Sequence, residues 1–553
     1  MILGGSNSVW RFIETEFFEP RQKAFQMLAS EQLKDELLRY HRVTSIEDGQ
    51  DQTGNPGVVQ LRYGIGGLAL DSFGHGVLQL HGRGSLPYPG CVNRYDYDQN
   101  PYGGHMPRIA IIGAGSLVFS SRLTADILSY PHLADSHFAL VDLDEERLGF
   151  AGRIVERIKR EGHYDQASYS MHMDRREALD GADLVIVSIL VGGFEAIERE
   201  IDIPARFGVD QAIGDTLTPG GVMRCLRTLP PLIDVTRDVM ALCPDAWVLN
   251  YTNPMAMLCW GINAAVPDVR LVGLCHSVQQ TTQQWAARLD VPMEEVAFEC
   301  AGLNHQAWLF EYSRGDVDLL PAIRQLCTDP EIWREDSSRM EYVKHFGFPV
   351  TEASGHNSEY SPWFRKNAEL VDAYCPGGGW NGGSGFIKTL YDRTDWREVM
   401  ESLADGSRPL SLERSDEYGS QIVAALHGGA PSKIYGNVMN RGYIDNLPDD
   451  ACVEVPCLVD AGGVQPQAIG ELPSHLAAVN AMQINVQRLA VQAALDADPE
   501  RVFQALALDP LTAAVCTLDE IRRMTHELLD AHAGWLPAFE GRCLREAPVL
   551  ADV

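Results

Sequence analysis

From residue 108 the chain settles into a rhythm of short apolar runs separated by amphipathic stretches, and no other feature restricts its folding more. Residues 108–112 (RIAII), 137–143, 182–189, 246–251 and 269–274 read as strands, and residues 119–129 and 145–161 carry helical spacing. A strand that returns through a helix lies parallel to the one before it, because the crossover needs roughly a dozen residues. The predicted fold class is α/β, a doubly wound parallel sheet. Beyond about residue 300 the alternation is lost and helices mix with loops, so a second, mixed α+β domain is expected there.

The first of these strands runs straight into Gly113-Ala114-Gly115-Ser116 and then a helix. Glycines in that position permit a tight turn and close backbone approach to a pyrophosphate, which then sits at a helix N-terminus. Val118 stands where the full fingerprint has its third glycine. Asp142 lies 27 residues after Gly115, at the end of the second strand, where a carboxylate can accept from ribose hydroxyls. Gly113, Gly115, Ser116 and Asp142 are therefore candidate NAD-binding residues on a Rossmann-like sheet, and an acid at 142 favours NAD over its phosphorylated form. On these residues alone, an ordinary hydroxy-acid dehydrogenase is the leading expectation.

Composition removes other classes. The formal net charge of -31 and pI of about 4.8 argue against a nucleic-acid partner. No apolar run approaches the roughly 18 residues of a membrane span; the longest, residues 184–191 (LVIVSILV), reads as a buried strand. The twelve cysteines are scattered, which suits reduced thiols in a cytoplasmic protein, and Cys452 and Cys457 read as core. Residues 1–105 differ from the rest. A helix or two interrupted at Pro20 precedes a Gly-, Pro- and Asp-dense stretch over residues 50–104, which is expected to be poorly ordered. Met106 is then the expected true start, with a small accessory segment as the alternative.

Four later segments do not fit an ordinary dehydrogenase: residues 250–257 (NYTNPMAM), 273–278 (GLCHSV), 301–308 (AGLNHQAW) and 358–364 (SEYSPWF). Cys275 and His276 follow an apolar strand, at the sheet end where open α/β folds bind ligands. His305, preceded by Asn304, lies 30 residues further on. A thiolate and an imidazole can together hold a divalent ion and leave positions open for substrate oxygens. Singly, each has a plainer explanation, as a small buried hydrophobe or a hydrogen-bonded core histidine.

Taken together, these segments resemble the NAD-dependent glycosidases of glycoside hydrolase family 4, over residues 107–537. The resemblance rests on Gly-Ala-Gly-Ser at 113–116, the loop at 215–221 (DTLTPGG), Asn253-Pro254, Cys275-His276-Ser277-Val278 and Asn304-His305. The Cys-His-Ser-Val tetrapeptide is the form associated with α-galactosidases. Residues 434–448, 452–461 and 472–478 are similar to the same branch.

The resemblance implies a lactate/malate dehydrogenase-like architecture. Residues 1–105 would form an N-terminal extension, 106–300 the NAD-binding domain, and 301–553 a domain for substrate, metal and oligomerisation. It implies Cys275 and His305 as ligands of Mn2+ or another divalent metal, with Asn253 and Asn304 as substrate-binding residues. Tyr360 would be the base that removes a carbon-bound proton; His276 is the first choice of acid, with Asp215 and Glu359 in reserve. The implied partner is a small-molecule α-galactoside, and the implied assembly a homodimer or homotetramer. The implied reaction oxidises C3 of the sugar transiently, removes the C2 proton, eliminates the aglycone and adds water, an exception to two-carboxylate glycosidase chemistry. A sugar or hydroxy-acid dehydrogenase, an α-glucosidase or α-glucuronidase, and a silent sensor of dinucleotide and sugar are the alternatives. Trp363 and Phe364 are expected in core or pocket wall, and residues 376–385 (PGGGWNGGSG) as a lid.

Overall fold

The computed structural model describes residues 106–116, 119–375 and 395–546, together with four strands nearer the N-terminus. Those strands are β1 (Val43–Gln50), β2 (Pro56–Tyr63), β3 (Ala69–Phe73) and β4 (Val77–His81). β1 pairs with β2 and β3 with β4, both antiparallel, in a unit spanning Met1–Asp96. The other expectations for residues 1–105, and the lid at 376–385, lie outside the described residues.

The second unit, Tyr97–Val553, holds a twelve-stranded mixed sheet. Its parallel part contains β5 (Arg108–Ile112), β6 (His137–Val141), β7 (Ser168–His172), β8 (Leu184–Val187), β9 (Trp247–Asn250) and β10 (Arg270–Gly273). Across the sheet they run β7-β6-β5-β8-β9-β10, the strand order of a dinucleotide-binding fold. The chain reverses direction across the sheet between β5 and β8, and there the C-terminal strand ends open a crevice.

Apolar side chains on both faces build these strands. β8 is buried at all four positions, and β5 and β6 at every position after the first. That pattern is what helices covering both faces require. The helix Glu145–Gly162 begins because Asp144 accepts from the N–H groups of Glu146 and Arg147 at 3.0 and 3.1 Å. It ends at His163, in the left-handed region at φ 57°.

The remaining strands are antiparallel and continue the same sheet: β11 (Val296–Leu303), β12 (Gln306–Arg314), β13 (Val317–Asp318), β14 (Ser432–Met439), β15 (Cys452–Asp460) and β16 (Gly463–Pro466). β14 pairs with β10, joining the two halves, and β15 bridges β14 to β11. The boundary expected at residue 300 thus falls within β11. Cys452 and Cys457 are fully buried core residues. No helix among the described residues is long and apolar enough to cross a membrane.

Candidate active site

The nucleotide end of the crevice is set by Gly113, with φ +89°. A Cβ there would lie 2.0 Å from the Ser188 carbonyl oxygen, so glycine alone lets the β5 turn pass the end of β8. The Gly113 and Ala114 N–H groups both donate to the Val141 carbonyl at 2.9 Å, fastening the turn to β6. Gly115 N–H donates to Asp142 Oδ2 at 2.8 Å, and Asp144 N–H to Asp142 Oδ1 at 3.0 Å. Each carboxylate oxygen keeps a second lone pair, so Asp142 can still accept from a ribose diol. The expected NAD-binding residues fit that group.

Cys275 follows β10, and His305 occupies the two-residue turn between β11 and β12, which the row Gly273–Asn437–Glu454–Gly302 sets level with the end of β10. The structure brings them together: His305 Nε2 lies 3.2 Å from Cys275 Sγ. Glu352 Oε1 lies 3.9 Å from the same nitrogen, and the ligand atoms of Cys275, His305 and Glu352 all fall within 4.8 Å of one another. Sulfur, imidazole and carboxylate converging in this way suit a dication. Burial, with Glu352 and Glu454 nearby, pushes the Cys275 thiol far above its ordinary range, so a thiolate here needs a positive partner.

The other face of His305 is different. Its Nδ1 meets Thr216 Oγ1 at 2.8 Å and Tyr360 O–H at 3.4 Å. Thr216 donates its hydroxyl to Asp215 Oδ1 at 2.8 Å, and Asn253 Nδ2 donates to Asp215 Oδ2 at 3.0 Å. His356 lies between two carboxylates, with Nε2 3.0 Å from Asp215 Oδ1 and Nδ1 3.1 Å from Glu352 Oε2. Burial alone would raise the Asp215 carboxyl, but His356 and then Arg224 hold it well below the usual carboxylate range. Glu352, likewise opposed by burial, is held down to about 2 by His305 and His356. Burial would lower His356, yet Asp215 and Glu352 raise it well above 6.5. The result is an imidazolium clamped between two anions.

Glu359 is fully buried, and its carboxylate accepts from the N–H groups of Ala212, Ile213 and Gly214 at 2.7 to 3.1 Å. It fastens the loop that carries Asp215. Tyr360 is 1% exposed, and burial with Glu359, Asp215 and Glu352 around it lifts its phenol well above 10. His276 stands at the start of the helix Ser277–Arg288, within electrostatic reach of His305 and Glu352, its side chain 45% exposed and its Nδ1 3.9 Å from Glu417. Asn304 is fully buried, with the Glu454 carboxyl beside its side chain. Phe364 is buried and Trp363 partly exposed, both against the Tyr342 ring at 5.8 Å, as wall rather than chemistry.

Comparison with known proteins identifies the family. Residues 108–291 match the family 4 glycosyl hydrolases, and residues 300–512 match the C-terminal domain of that family. The chain belongs to glycosyl hydrolase family 4. An α-galactosidase of Bacillus subtilis is 37% identical over 446 residues, covering 79% of this chain and 100% of the relative. An α-galactosidase of Rhizobium meliloti is 38% identical over 445 residues, covering 78% and 89%. The crystal structure of lplD from Bacillus subtilis superimposes with a TM-score of 0.69 at 28% identity, covering 77% of this chain and 100% of that one. A 6-phospho-α-glucosidase from gut microorganisms, in complex with NAD and Mn2+, shares the fold at TM-score 0.65 and 20% identity, covering 77% and 98%.

Within this family 4 chain, sequence reasoning missed Thr216, Glu352 and His356. The available signal was the Glu-x-x-x-His spacing from 352 to 356, just ahead of the Ser-Glu-Tyr run.

Proposed function

We propose that this family 4 enzyme hydrolyses terminal α-galactosides and uses NAD and a divalent metal, Mn2+, as cofactors. The observation that carries the reading is the meeting of Cys275 Sγ and His305 Nε2 at 3.2 Å beside the dinucleotide crevice. The two α-galactosidase relatives support the substrate class, and the like-folded 6-phospho-α-glucosidase with NAD and Mn2+ supports the cofactors. When bound, NAD supplies a reversible hydride acceptor for sugar C3, and the dication supplies a Lewis acid that makes the C2 proton labile.

The chain's own residues then have definite tasks. The Gly113–Ser116 turn would receive the pyrophosphate and Asp142 the ribose hydroxyls. Cys275 and His305 would hold the ion. Asn253, its amide N–H turned to Asp215, would present its carbonyl to a sugar hydroxyl, and the buried Asn304 amide lies one residue before His305. Tyr360 is the base for the C2 proton. Three carboxylates oppose its ionisation, and the ion that Cys275 and His305 would hold would offset them. His276 is the acid for the leaving oxygen, because Asp215 is held ionised and Glu359 is engaged by three backbone donors. The working form is a homo-oligomer.

The test is incubation with an α-galactoside, catalytic NAD and Mn2+. Galactose release without accumulating NADH is expected, and it should vanish in Cys275→Ser while NAD affinity holds. Stoichiometric NADH would instead identify a sugar dehydrogenase, and turnover of glucosides or uronides alone would move the specificity within the family.

A further inference from the structure

His305 has a neighbour that comes from the fold rather than from the sequence. Val350 bridges Trp308 of β12, and Thr351 exchanges two hydrogen bonds with Ala307: its N–H to the Ala307 carbonyl at 2.9 Å, and the Ala307 N–H to its Oγ1 at 3.1 Å. These ties press the next residue, Glu352, against the turn that carries His305. Its side chain is 17% exposed and its two oxygens are divided. Oε1 faces His305 Nε2 at 3.9 Å, and Oε2 is held by His356 Nδ1 at 3.1 Å. Asp215 holds the other ring nitrogen of His356 at 3.0 Å, and Arg224 stands 3.9 Å behind Asp215.

Three features point to a ligand rather than a structural ion pair. Bond lengths of roughly 2.0–2.3 Å to nitrogen, oxygen and sulfur place neighbouring donors about 3–4 Å apart, and the contacts here are 3.2 and 3.9 Å. Glu352 has φ 71°, a left-handed conformation uncommon outside glycine, asparagine and aspartate. Backbone held in such a region concentrates at ligand clamps. Finally, the ligand atoms of Cys275, His305 and Glu352 all fall within 4.8 Å of one another, in one enclosed site. A second donor group, Asp215, His305 and His356, is equally compact. However, Asp215 and His356 already satisfy each other, and Thr216 closes His305 Nδ1.

We propose that Glu352 is a third protein ligand of the divalent ion, completing a sulfur–nitrogen–oxygen set with Cys275 and His305, and that His356 and Asp215 are its positioning residues. The carboxylate tilts a cysteine–histidine site towards harder ions such as Mn2+. Fixing its second oxygen on a histidine orients the first, as outer partners of metal ligands do. This assignment rests on the reading of Cys275 and His305 as metal ligands.

The experiment titrates Mn2+ into the full-length protein without sugar, following free Mn2+ by electron paramagnetic resonance, with NAD affinity measured in parallel. Glu352→Gln should weaken Mn2+ binding by at least ~10-fold, the loss that even an outer partner of a ligand causes, and leave NAD binding unchanged. Glu352→Asp, which keeps the charge but withdraws it by one methylene, should also weaken Mn2+ binding, and it serves where the glutamine variant does not fold. Wild-type affinity in both Glu352 variants, with Mn2+ lost in Cys275→Ser, overturns the third ligand and leaves the Cys275–His305 site standing. No Mn2+ binding by the wild type, or binding indifferent to Cys275→Ser, overturns both.

Discussion

The most direct physical test of the sheet beneath the site is Glu454→Gln. Glu454 is fully buried on β15; Asn437 Nδ2 donates to its Oε1 at 3.2 Å, and the Asn304 side chain lies beside it. Burial pushes this carboxyl from 4.5 up to about 8. Between those values the unfolded chain has released the proton while the folded protein keeps it, so stability falls as pH rises through this window. The full fall amounts to about 5 kcal/mol for the interval from 4.5 to about 8. Glutamine has the shape of the protonated acid, still accepts from Asn437 through its carbonyl, and cannot ionise. Whatever its amide costs is constant with pH. The assay is urea unfolding of both proteins at pH 5 and pH 8.5, followed by tryptophan fluorescence. The variant should gain several kcal/mol on the wild type between the two conditions, with about 5 kcal/mol as the upper bound. A gain below about 1 kcal/mol would show that Glu454 ionises without penalty, and that the β14–β15 interior is wet.

Three further outcomes follow from the site geometry. Gly113→Ala places a Cβ against the Ser188 carbonyl at φ +89° and should weaken NADH binding by about 10- to 100-fold in a fluorescence titration; unchanged affinity would remove the turn from the nucleotide site. Asp142→Ala removes the acceptor of Gly115 N–H and of the ribose hydroxyls, so NAD affinity should fall by about tenfold or more while NADP is discriminated against less, measured by paired titrations. Tyr360→Phe should abolish exchange of the sugar C2 proton with deuterated solvent, seen by nuclear magnetic resonance, while Mn2+ and NAD still bind. Persisting exchange would assign the base to another residue.

The nucleotide half was legible because its strands are buried on both faces and therefore appear as continuous apolar runs. β7 escaped notice for the opposite reason: Ser168–His172 is an edge strand with no fully buried position, so its sequence carries no apolar run. The helix Thr218–Leu242 was hidden by Pro230 and Pro231 in its interior, which local reasoning takes as breakers and which tertiary packing overrides. The break expected at residue 300 reflects a real change from parallel to antiparallel pairing, but hydrogen bonding continues through β14 and β15, and no composition shift marks that continuity.

The site shows the same division. Cys275 could be found because it follows an apolar strand of the parallel sheet, and His305 through the resemblance carried by its Asn-His motif. Glu352 and His356 carried only their Glu-x-x-x-His spacing as a signal, because they reach His305 through a bridge from Val350 to β12, and pairing between distant segments leaves no periodic trace. Which ring nitrogen faces which neighbour is also beyond a motif. Only two residues, Asn304 and His305, join β11 to β12, so the turn is held by the hairpin on both sides. It aims Nε2 at Cys275 and Nδ1 at Thr216 and Tyr360. One imidazole thus separates the donors that would hold an ion from the groups that would move a proton. Rotating that ring would exchange the two sets, and the hairpin, Thr216 and the clamped His356 together oppose such a rotation.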